Sequence, residues 1–159
     1  MMRAAIIVRV EEPKWRNCGV ESGHIRAAAC LALMRGYGRN GGDKRSLTIL
    51  LASDERLREL NMRFRGKDLP TNVLSFAAPA PADGDSYLGD VALALGVASR
   101  EAGAAGKRLS DHVLHLTVHG VLHLLGYDHD KAREARTMER LEIAVLHQLG
   151  IANPYAAHA

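Results

Sequence analysis

Hydrophobic and polar positions in the first half of the chain follow two periodicities, which predict alternating strands and helices. Residues 3–10 form a short β-branched run, and residues 46–52 are apolar almost throughout, as in a strand covered on both faces. Between them, apolar residues recur at helical spacing over 22–35, with Ser22 as the N-cap. Ser53, followed by two acidic residues, predicts a helix that ends near Arg63.

The second half predicts a pair of strands and then three helices. The runs 73–76 and 87–95 flank a loop rich in proline and glycine, so we expect antiparallel neighbours. Helical spacing follows over 96–105, 111–125 and 132–149, with Ser110 as the N-cap of the second helix. This order predicts an α+β fold, a mixed sheet of about four strands packed with about five helices.

The length of 159 residues suits one domain, which we place at 1–151, with a frayed C-terminal tail at 152–159. The 47% hydrophobic and 25% charged residues are ordinary globular values. No apolar run approaches the roughly 20 residues needed to cross a bilayer, and the N-terminus lacks the apolar core of a secretory signal. We therefore expect a cytoplasmic protein without a membrane partner, whose two cysteines are reduced and structural.

Five of the eight histidines fall between positions 112 and 129. On a helix, His112, His115, His119 and His123 fall within an arc of roughly 80°, while the opposite face is apolar and can pack on the sheet. A lone histidine is usually a buried or surface residue without a special role. Here the spacing H-x-x-x-H-x-x-G-x-x-H instead predicts that His119, His123 and His129 bind a metal together.

Three imidazoles with an open fourth position indicate a catalytic zinc, one per chain, rather than a structural zinc. Metzincin proteases share this ligand spacing, but their general-base glutamate would fall at Gly120, which has no side chain. The sequence thus predicts hydrolytic chemistry without a peptidase base. His115 is predicted to support the ligands rather than bind metal, and Asp128 either to orient a ligand or water or to form a local turn.

Three segments resemble the YbeY family of bacterial endoribonucleases: HLTVHGVLHLLGYDH at 115–129, ELNMRFRGKDLPTNVLSF at 59–76 and YLGDVALA at 87–94. The resemblance implies an α+β fold with one zinc held by His119, His123 and His129, and a functional arginine in the loop at Arg65. It also implies cleavage of single-stranded RNA in 16S rRNA 3′-end maturation and ribosome quality control, with the ribosome or small-subunit ribosomal proteins as partners.

Arg65 suits phosphodiester cleavage, because a guanidinium can donate two parallel hydrogen bonds to the charged phosphoryl oxygens. We therefore predict Arg65 and His119 as catalytic, and Arg63, Lys67 and Lys107 as contacts to the RNA backbone. A net charge of +3 permits a nucleic-acid partner without requiring one. Aromatic residues are only 4% of the chain, so base stacking would depend on a few residues such as Phe64 or Tyr127, and we expect weak sequence preference.

Two other functions remain open from the sequence. The first is a non-catalytic ribosome assembly factor whose metal is structural. The second is a metallohydrolase acting on peptides or small molecules, which Gly120 disfavours because no carboxylate accompanies the first ligand. Cleavage of RNA by the purified protein, or its absence, separates these functions from the endoribonuclease.

Overall fold

Within residues 5–37, 45–79, 86–128 and 130–156, which the computed structural model describes, the chain forms four strands and five α-helices. In chain order they are β1 (Ala5–Val10), α1 (Ser22–Tyr37), β2 (Arg45–Ala52), α2 (Asp54–Arg65), β3 (Val73–Ala77), β4 (Ser86–Ala94), α3 (Leu95–Ala104), α4 (Leu109–Leu124) and α5 (Ala132–Gln148). The predicted α+β class is therefore confirmed.

The four strands form one mixed sheet in the order β1-β2-β4-β3. β2 runs parallel to both of its neighbours, β1 and β4, whereas β3 pairs antiparallel with β4. The apolar run in β2 thus occupies a central strand, as predicted, and β3 and β4 are the predicted antiparallel neighbours. Ser53 caps α2 as expected, since its side chain accepts a hydrogen bond from the Arg56 backbone N–H at 3.1 Å.

Three local features differ from the sequence prediction. α1 begins at Ser22, so the predicted N-cap role of Ser22 is wrong and this residue is the first of the helix. α4 begins at Leu109 with Arg108 at the N-cap and no side-chain cap, so the predicted N-cap role of Ser110 is wrong and Ser110 lies inside the helix. After β1 the chain forms a short 3-10 helix, Pro13–Asn17, that the sequence did not predict. Its Trp15 is buried, and the indole N–H donates to the Ala52 carbonyl at 2.8 Å, which ties this turn to the end of β2.

Helices cover both faces of the sheet. Leu47, Ile49, Val91 and Leu93 point to the face that carries α1 and α4, and they join one buried core with Val118, Val121 and residues of α5. On the other face a smaller cluster lies under α2, formed by Ala52, Leu57, Leu74, Ala92 and Ala94. The apolar face predicted for the histidine helix is therefore buried, which anchors α4 on the sheet.

Gly120 lies where α4 packs closely against the sheet. A Cβ atom added there would lie 2.5 Å from Val91 Cγ1 and 3.2 Å from the Ser75 hydroxyl oxygen. That hydroxyl donates to the Gly120 carbonyl at 2.8 Å. The missing side chain therefore lets the helix seat against β3 and β4, which places the neighbouring His119 beside the same strands.

The C-terminal segment contains one residue that packs back onto the helices. Tyr155 lies within the predicted frayed tail, yet its ring meets the His115 ring edge-on at 5.6 Å between centroids, and its hydroxyl donates to Glu142 of α5. The predicted domain boundary near residue 151 stays a prediction. Of the helices described, none is both long enough and apolar enough to span a membrane.

Candidate metal centre and its clefts

His119 and His123 stand one turn apart on α4, and their ring planes are inclined to each other by 73°. Their Nε2 atoms lie 3.1 Å apart, and the ring centroids are separated by 4.6 Å. The i, i+4 spacing places them on one side of the helix, as the sequence predicted. The third predicted ligand, His129, lies outside the described residues, so the full ligand set stays a prediction.

A buried carboxylate on α5 fixes the histidine face of α4. The Glu142 side chain is 1% exposed, and His119 Nδ1 lies 2.5 Å from its Oε1 atom. His115 Nε2 lies 3.1 Å from Oε2, which also accepts a hydrogen bond from the Tyr155 hydroxyl. One carboxylate therefore receives three donors and links α4, α5 and the C-terminal segment.

These contacts set the ionisation of the cluster. Burial on its own raises the pKa of Glu142, but the hydrogen bonds from His115, His119 and Tyr155 together outweigh it and lower the pKa from 4.5 to about 2. Burial and the adjacent carboxylate raise the pKa of the Tyr155 phenol. At neutral pH, Glu142 is a carboxylate and only accepts hydrogen bonds, so the facing nitrogens of His115 and His119 carry the protons.

This arrangement fits a metal ion. Because His119 holds its proton on Nδ1, its Nε2 carries the lone pair, and that nitrogen is the one that faces His123. Two nitrogens bound to a tetrahedral zinc at about 2.0–2.1 Å lie about 3.3 Å apart, close to the spacing found here. In the ranges that the structure describes, no set of three metal-binding side chains converges, and the predicted third ligand falls in the gap between them.

Arg65 and the two histidines line the same cleft, which we call the main cleft. It has a volume of about 380 Å³, and its polar wall residues are Arg65, Thr71, Asn72, Ser75, His119 and His123. Arg65 is the last residue of α2 rather than a loop residue, and Gly66 ends the helix in the left-handed conformation at φ 69°. The structure thus brings Arg65 into the same cleft as two histidines that lie at least 54 positions away from it in the sequence.

A second cleft, the side cleft, opens on the other side of His119. It has a volume of about 570 Å³ and includes Glu101, His112, His115 and Tyr155 in its walls. Asn72, Val73 and His119 line both clefts. The two clefts therefore form neighbouring compartments that meet at the candidate metal centre.

Several residues predicted from the sequence lie elsewhere. Arg63 lines a groove on the outer side of α2 and stacks over the Phe64 ring at 5.5 Å, and Phe64 in turn packs against Phe76. Lys67 and Lys107 are not among the described residues that line the main or the side cleft. The contacts of Arg63, Lys67 and Lys107 with RNA stay a prediction, and these three residues do not line the main cleft with Arg65.

The structure also gives contacts for the remaining predicted residues, Asp128, Tyr127 and His115. The Asp128 side chain accepts a hydrogen bond from the Asp130 backbone N–H at 3.1 Å, which is the turn-forming contact that the sequence allowed. The Tyr127 hydroxyl donates to the Gly36 carbonyl at 2.8 Å, and its ring packs against the core. His115 lies beside the metal pair and shares Glu142 with His119.

Glu142 and Tyr155 were missed by the sequence prediction. Glu142 lies in the amphipathic helix 132–148, where a glutamate is ordinarily predicted to be on the solvent-exposed face. One signal was available, because Glu142 lies one position after Leu141, on the apolar stripe that also contains Met138 and Val145. Tyr155 carried no such signal, since it falls after the last predicted element.

Comparison with known proteins gives the family of this chain. A family model described as Endoribonuclease YbeY matches residues 26–150. A relative from Rhodospirillum rubrum named Endoribonuclease YbeY is 50% identical over 138 residues, which cover 83% of this chain and 69% of the relative. Another of that name, from Jannaschia sp., is 40% identical over 164 residues, which cover 94% of this chain and 99% of the relative.

A solved structure supports the fold. The solution structure of TM1509 from Thermotoga maritima is similar with a TM-score of 0.55 and 19% sequence identity, over 98% of this chain and 100% of that one. At this identity the likeness shows the fold alone. The sequence matches, which extend over most of the chain, show more: this chain belongs to the YbeY endoribonuclease family.

Proposed function

We propose that this protein is a zinc-dependent endoribonuclease that cleaves single-stranded RNA. Its proposed setting is the cytoplasm, where it acts in 16S rRNA 3′-end maturation and ribosome quality control with the ribosome or small-subunit ribosomal proteins as partners. The observation that carries the proposal is the main cleft, whose walls contain both Arg65 and the His119–His123 pair. The relatives named as endoribonucleases support the same reaction.

The histidines have the role of holding the metal. His119 and His123 present their Nε2 atoms to one point, and His129 is the proposed third ligand. Zinc, when bound, would supply a Lewis acid that lowers the pKa of water in the cleft. Glu142 keeps the proton of His119 on Nδ1 and fixes the ring, so that Nε2 stays directed at the metal position.

Arg65 has the role of binding the phosphoryl group. Phosphodiester cleavage builds extra negative charge on the non-bridging oxygens, and a guanidinium in the same cleft can donate two hydrogen bonds to them. Arg65 also neutralises part of the charge that a phosphate brings into a cleft whose other polar walls are uncharged apart from the histidines.

A peptidase is disfavoured by the packing of Gly120. The position that holds the general base in metzincins has no room here for a carboxylate side chain, because Val91 and Ser75 occupy the space beside it. The chain therefore lacks both the glutamate and the volume that a glutamate would need. A negatively charged substrate such as RNA fits the main cleft better, because its phosphate can bind Arg65 beside the histidines.

Cleavage of a single-stranded rRNA fragment by purified protein tests the proposal. We expect His119→Ala and Arg65→Ala each to reduce the cleavage rate at least about 100-fold, as for the loss of one preorganised transition-state contact. Arg26→Ala, which removes a positive charge from the exposed side of α1, is the matched control and should cleave normally. Undiminished cleavage by both site variants would identify a contaminating nuclease and refute the assignment.

The same assay separates the assembly-factor alternative. If metal-replete protein bound ribosomes but cut no RNA, and His123→Ala failed to fold, the metal would be structural. The proposal instead expects His123→Ala to keep the fold and lose cleavage, because α4 is anchored by its opposite, apolar face.

A further inference from the structure

The main cleft lies at an edge of the sheet. Arg65 ends α2, which packs on one face of the sheet, whereas the histidine pair is on α4, which packs on the other face. Residues from opposite faces of a sheet can line one cleft only where the sheet ends. β3 is an edge strand, and three of its five residues, Val73, Ser75 and Ala77, belong to the wall of this cleft.

The pairing of β3 shows which of its backbone groups point away from the sheet. The Ala94 N–H donates to the Asn72 carbonyl at 3.0 Å, and the Ala78 N–H donates to the Leu88 carbonyl at 2.9 Å. In an antiparallel pair, residues bonded to the partner strand alternate with residues whose N–H and C=O groups point away from it. The even-numbered residues of β3 therefore bond to β4, and the backbone groups of the odd-numbered residues point outward.

The outward-pointing residues are the ones that line the cleft. In the part of the chain that the structure describes, no strand pairs with this edge, and no backbone bond to a loop or turn engages Val73, Ser75 or Ala77. Ala77 is exposed, and the other two residues are half-buried. An edge of this kind presents a row of N–H and C=O groups that can pair with another molecule.

The charge of the cleft favours a nucleic-acid strand over a peptide at this edge. Arg65 attracts a phosphate, and none of the described residues in the wall is a carboxylate. A phosphate bound beside Arg65 brings its nucleotides next to β3. Each of the four RNA bases carries a hydrogen-bond donor next to an acceptor on its Watson–Crick edge, so a row of alternating N–H and C=O groups can bind any of them.

We propose that the outer edge of β3, at Val73 and Ser75, binds the Watson–Crick edge of a nucleotide next to the cleaved phosphate. In a duplex the complementary base already occupies that edge, so this contact selects single strands without selecting a particular base. The inference rests on the proposed endoribonuclease function. It gives one structural reason for both the single-strand specificity and the weak sequence preference that we expect.

Oligouridines with one modified central nucleotide test the contact without altering the protein. N3-methyluridine has a methyl group in place of the donor on its Watson–Crick edge, whereas 5-methyluridine, the matched control, carries its methyl group on the opposite side of the base. Zinc-loaded protein would cut each oligomer, and the products would be mapped. Cleavage at the bond beside the modified nucleotide should fall about tenfold with N3-methyluridine, for the loss of one or two hydrogen bonds, and stay unchanged with 5-methyluridine.

Ser75→Pro tests the strand. Proline removes the outward N–H and leaves the bonds to β4, because an edge strand accepts proline where the N–H faces away from the sheet. Ser75→Ala is the control, since it loses the hydroxyl that donates to Gly120 but keeps the N–H. The proline variant should cut unmodified oligouridine about tenfold more slowly and lose most of the difference between the two methylated oligomers, whereas the alanine variant should keep that difference. If Ser75→Pro does not fold, the comparison of oligomers with wild-type protein still decides.

The outcomes separate this inference from the function on which it rests. Equal cleavage beside N3-methyluridine and 5-methyluridine by wild-type protein would overturn the base site and leave the edge to an extended peptide. An undiminished difference in folded Ser75→Pro would also overturn it. Failure of the wild-type protein to cut even the unmodified oligouridine would instead count against the endoribonuclease function itself.

Discussion

His119 Nδ1 and Glu142 Oε1 lie 2.5 Å apart, so a carboxylate on α5 sets the tautomer of an imidazole on α4. The pair joins the last helix to the predicted metal centre. Because Glu142 also accepts hydrogen bonds from His115 and Tyr155, its position is fixed from three sides. The ligand face of α4 is therefore oriented by a residue that does not itself touch the metal position.

Glu142→Gln should weaken zinc binding about 10- to 100-fold at neutral pH, because a neutral amide holds the His119 ring less firmly and makes its Nε2 a poorer ligand. Competition with a chromophoric chelator measures the affinity. Glu55→Gln on α2 is the control for the change in charge and should bind zinc as wild type does. An unchanged affinity in the Glu142 variant would show that the carboxylate does not support the ligand.

Stability should depend on pH through Glu142. Its pKa is lowered from 4.5 to about 2, so the folded state favours the carboxylate. This contribution, about 3 kcal/mol, is fully present above the unfolded pKa and is lost as the pH falls through the folded value. Urea unfolding of metal-free protein from about pH 5 to about pH 3 should show a steeper loss for wild type than for Glu142→Gln. Parallel curves would contradict this assignment.

Tyr155→Phe tests whether the C-terminal segment belongs to the site. Removing the hydroxyl takes one hydrogen bond from the buried Glu142, which should lower the free energy of unfolding by about 1–3 kcal/mol and weaken zinc binding. Chemical unfolding of the metal-free protein measures the first effect. A freely frayed tail, as the sequence predicted, would give no change in either quantity.

Gly120→Ala should destabilise the protein by about 1–3 kcal/mol despite the better helix propensity of alanine. The new Cβ atom would lie 2.5 Å from Val91 Cγ1 in a buried contact, and the helix would have to move away from the sheet. Gly23→Ala in α1 is the matched control, because nothing lies within 4 Å of its added Cβ atom. Equal stability of the two variants would show that α4 is not held at this close approach.

Arg65→Lys should reduce the single-turnover rate of RNA cleavage at least about tenfold with the zinc content unchanged. Lysine keeps the charge but loses the paired hydrogen bonds to the phosphoryl oxygens. The rate under saturating protein and the metal content together separate a role toward the phosphate from a role in folding. If Arg65→Lys cleaved RNA at the wild-type rate, Arg65 would not have the proposed role toward the phosphate.

The sequence predicted the fold well where periodicity is strong. The apolar run in β2, the cap at Ser53 and the histidine spacing on α4 each depend on neighbours along the chain, so local rules were enough. The Ser110 cap prediction failed because α4 begins at Leu109, which places Arg108 at the N-cap position and Ser110 inside the helix. Trp15 was missed because its partner, the Ala52 carbonyl, is distant in sequence.

The candidate site was predictable in part for the same reason. His119 and His123 are neighbours on one helix, and Arg65 came from the family resemblance rather than from any local pattern. Glu142 contacts His119, and Glu101 contacts Asn72. Both partners are distant in sequence, so these contacts form only when α5 and α3 pack against the rest of the fold. Arg63 shows the converse, since it is two residues from Arg65 yet points to another side of α2.

Zinc-dependent cleavage tests the central claim most directly. The rate on single-stranded RNA would be measured for native protein, for the same protein after chelation, and after zinc is returned in increments, with zinc content determined at each step. We predict loss of cleavage on chelation and recovery that saturates at one zinc per chain, with no recovery in His123→Ala. Full activity of zinc-free protein, or full recovery in that variant, would contradict the account.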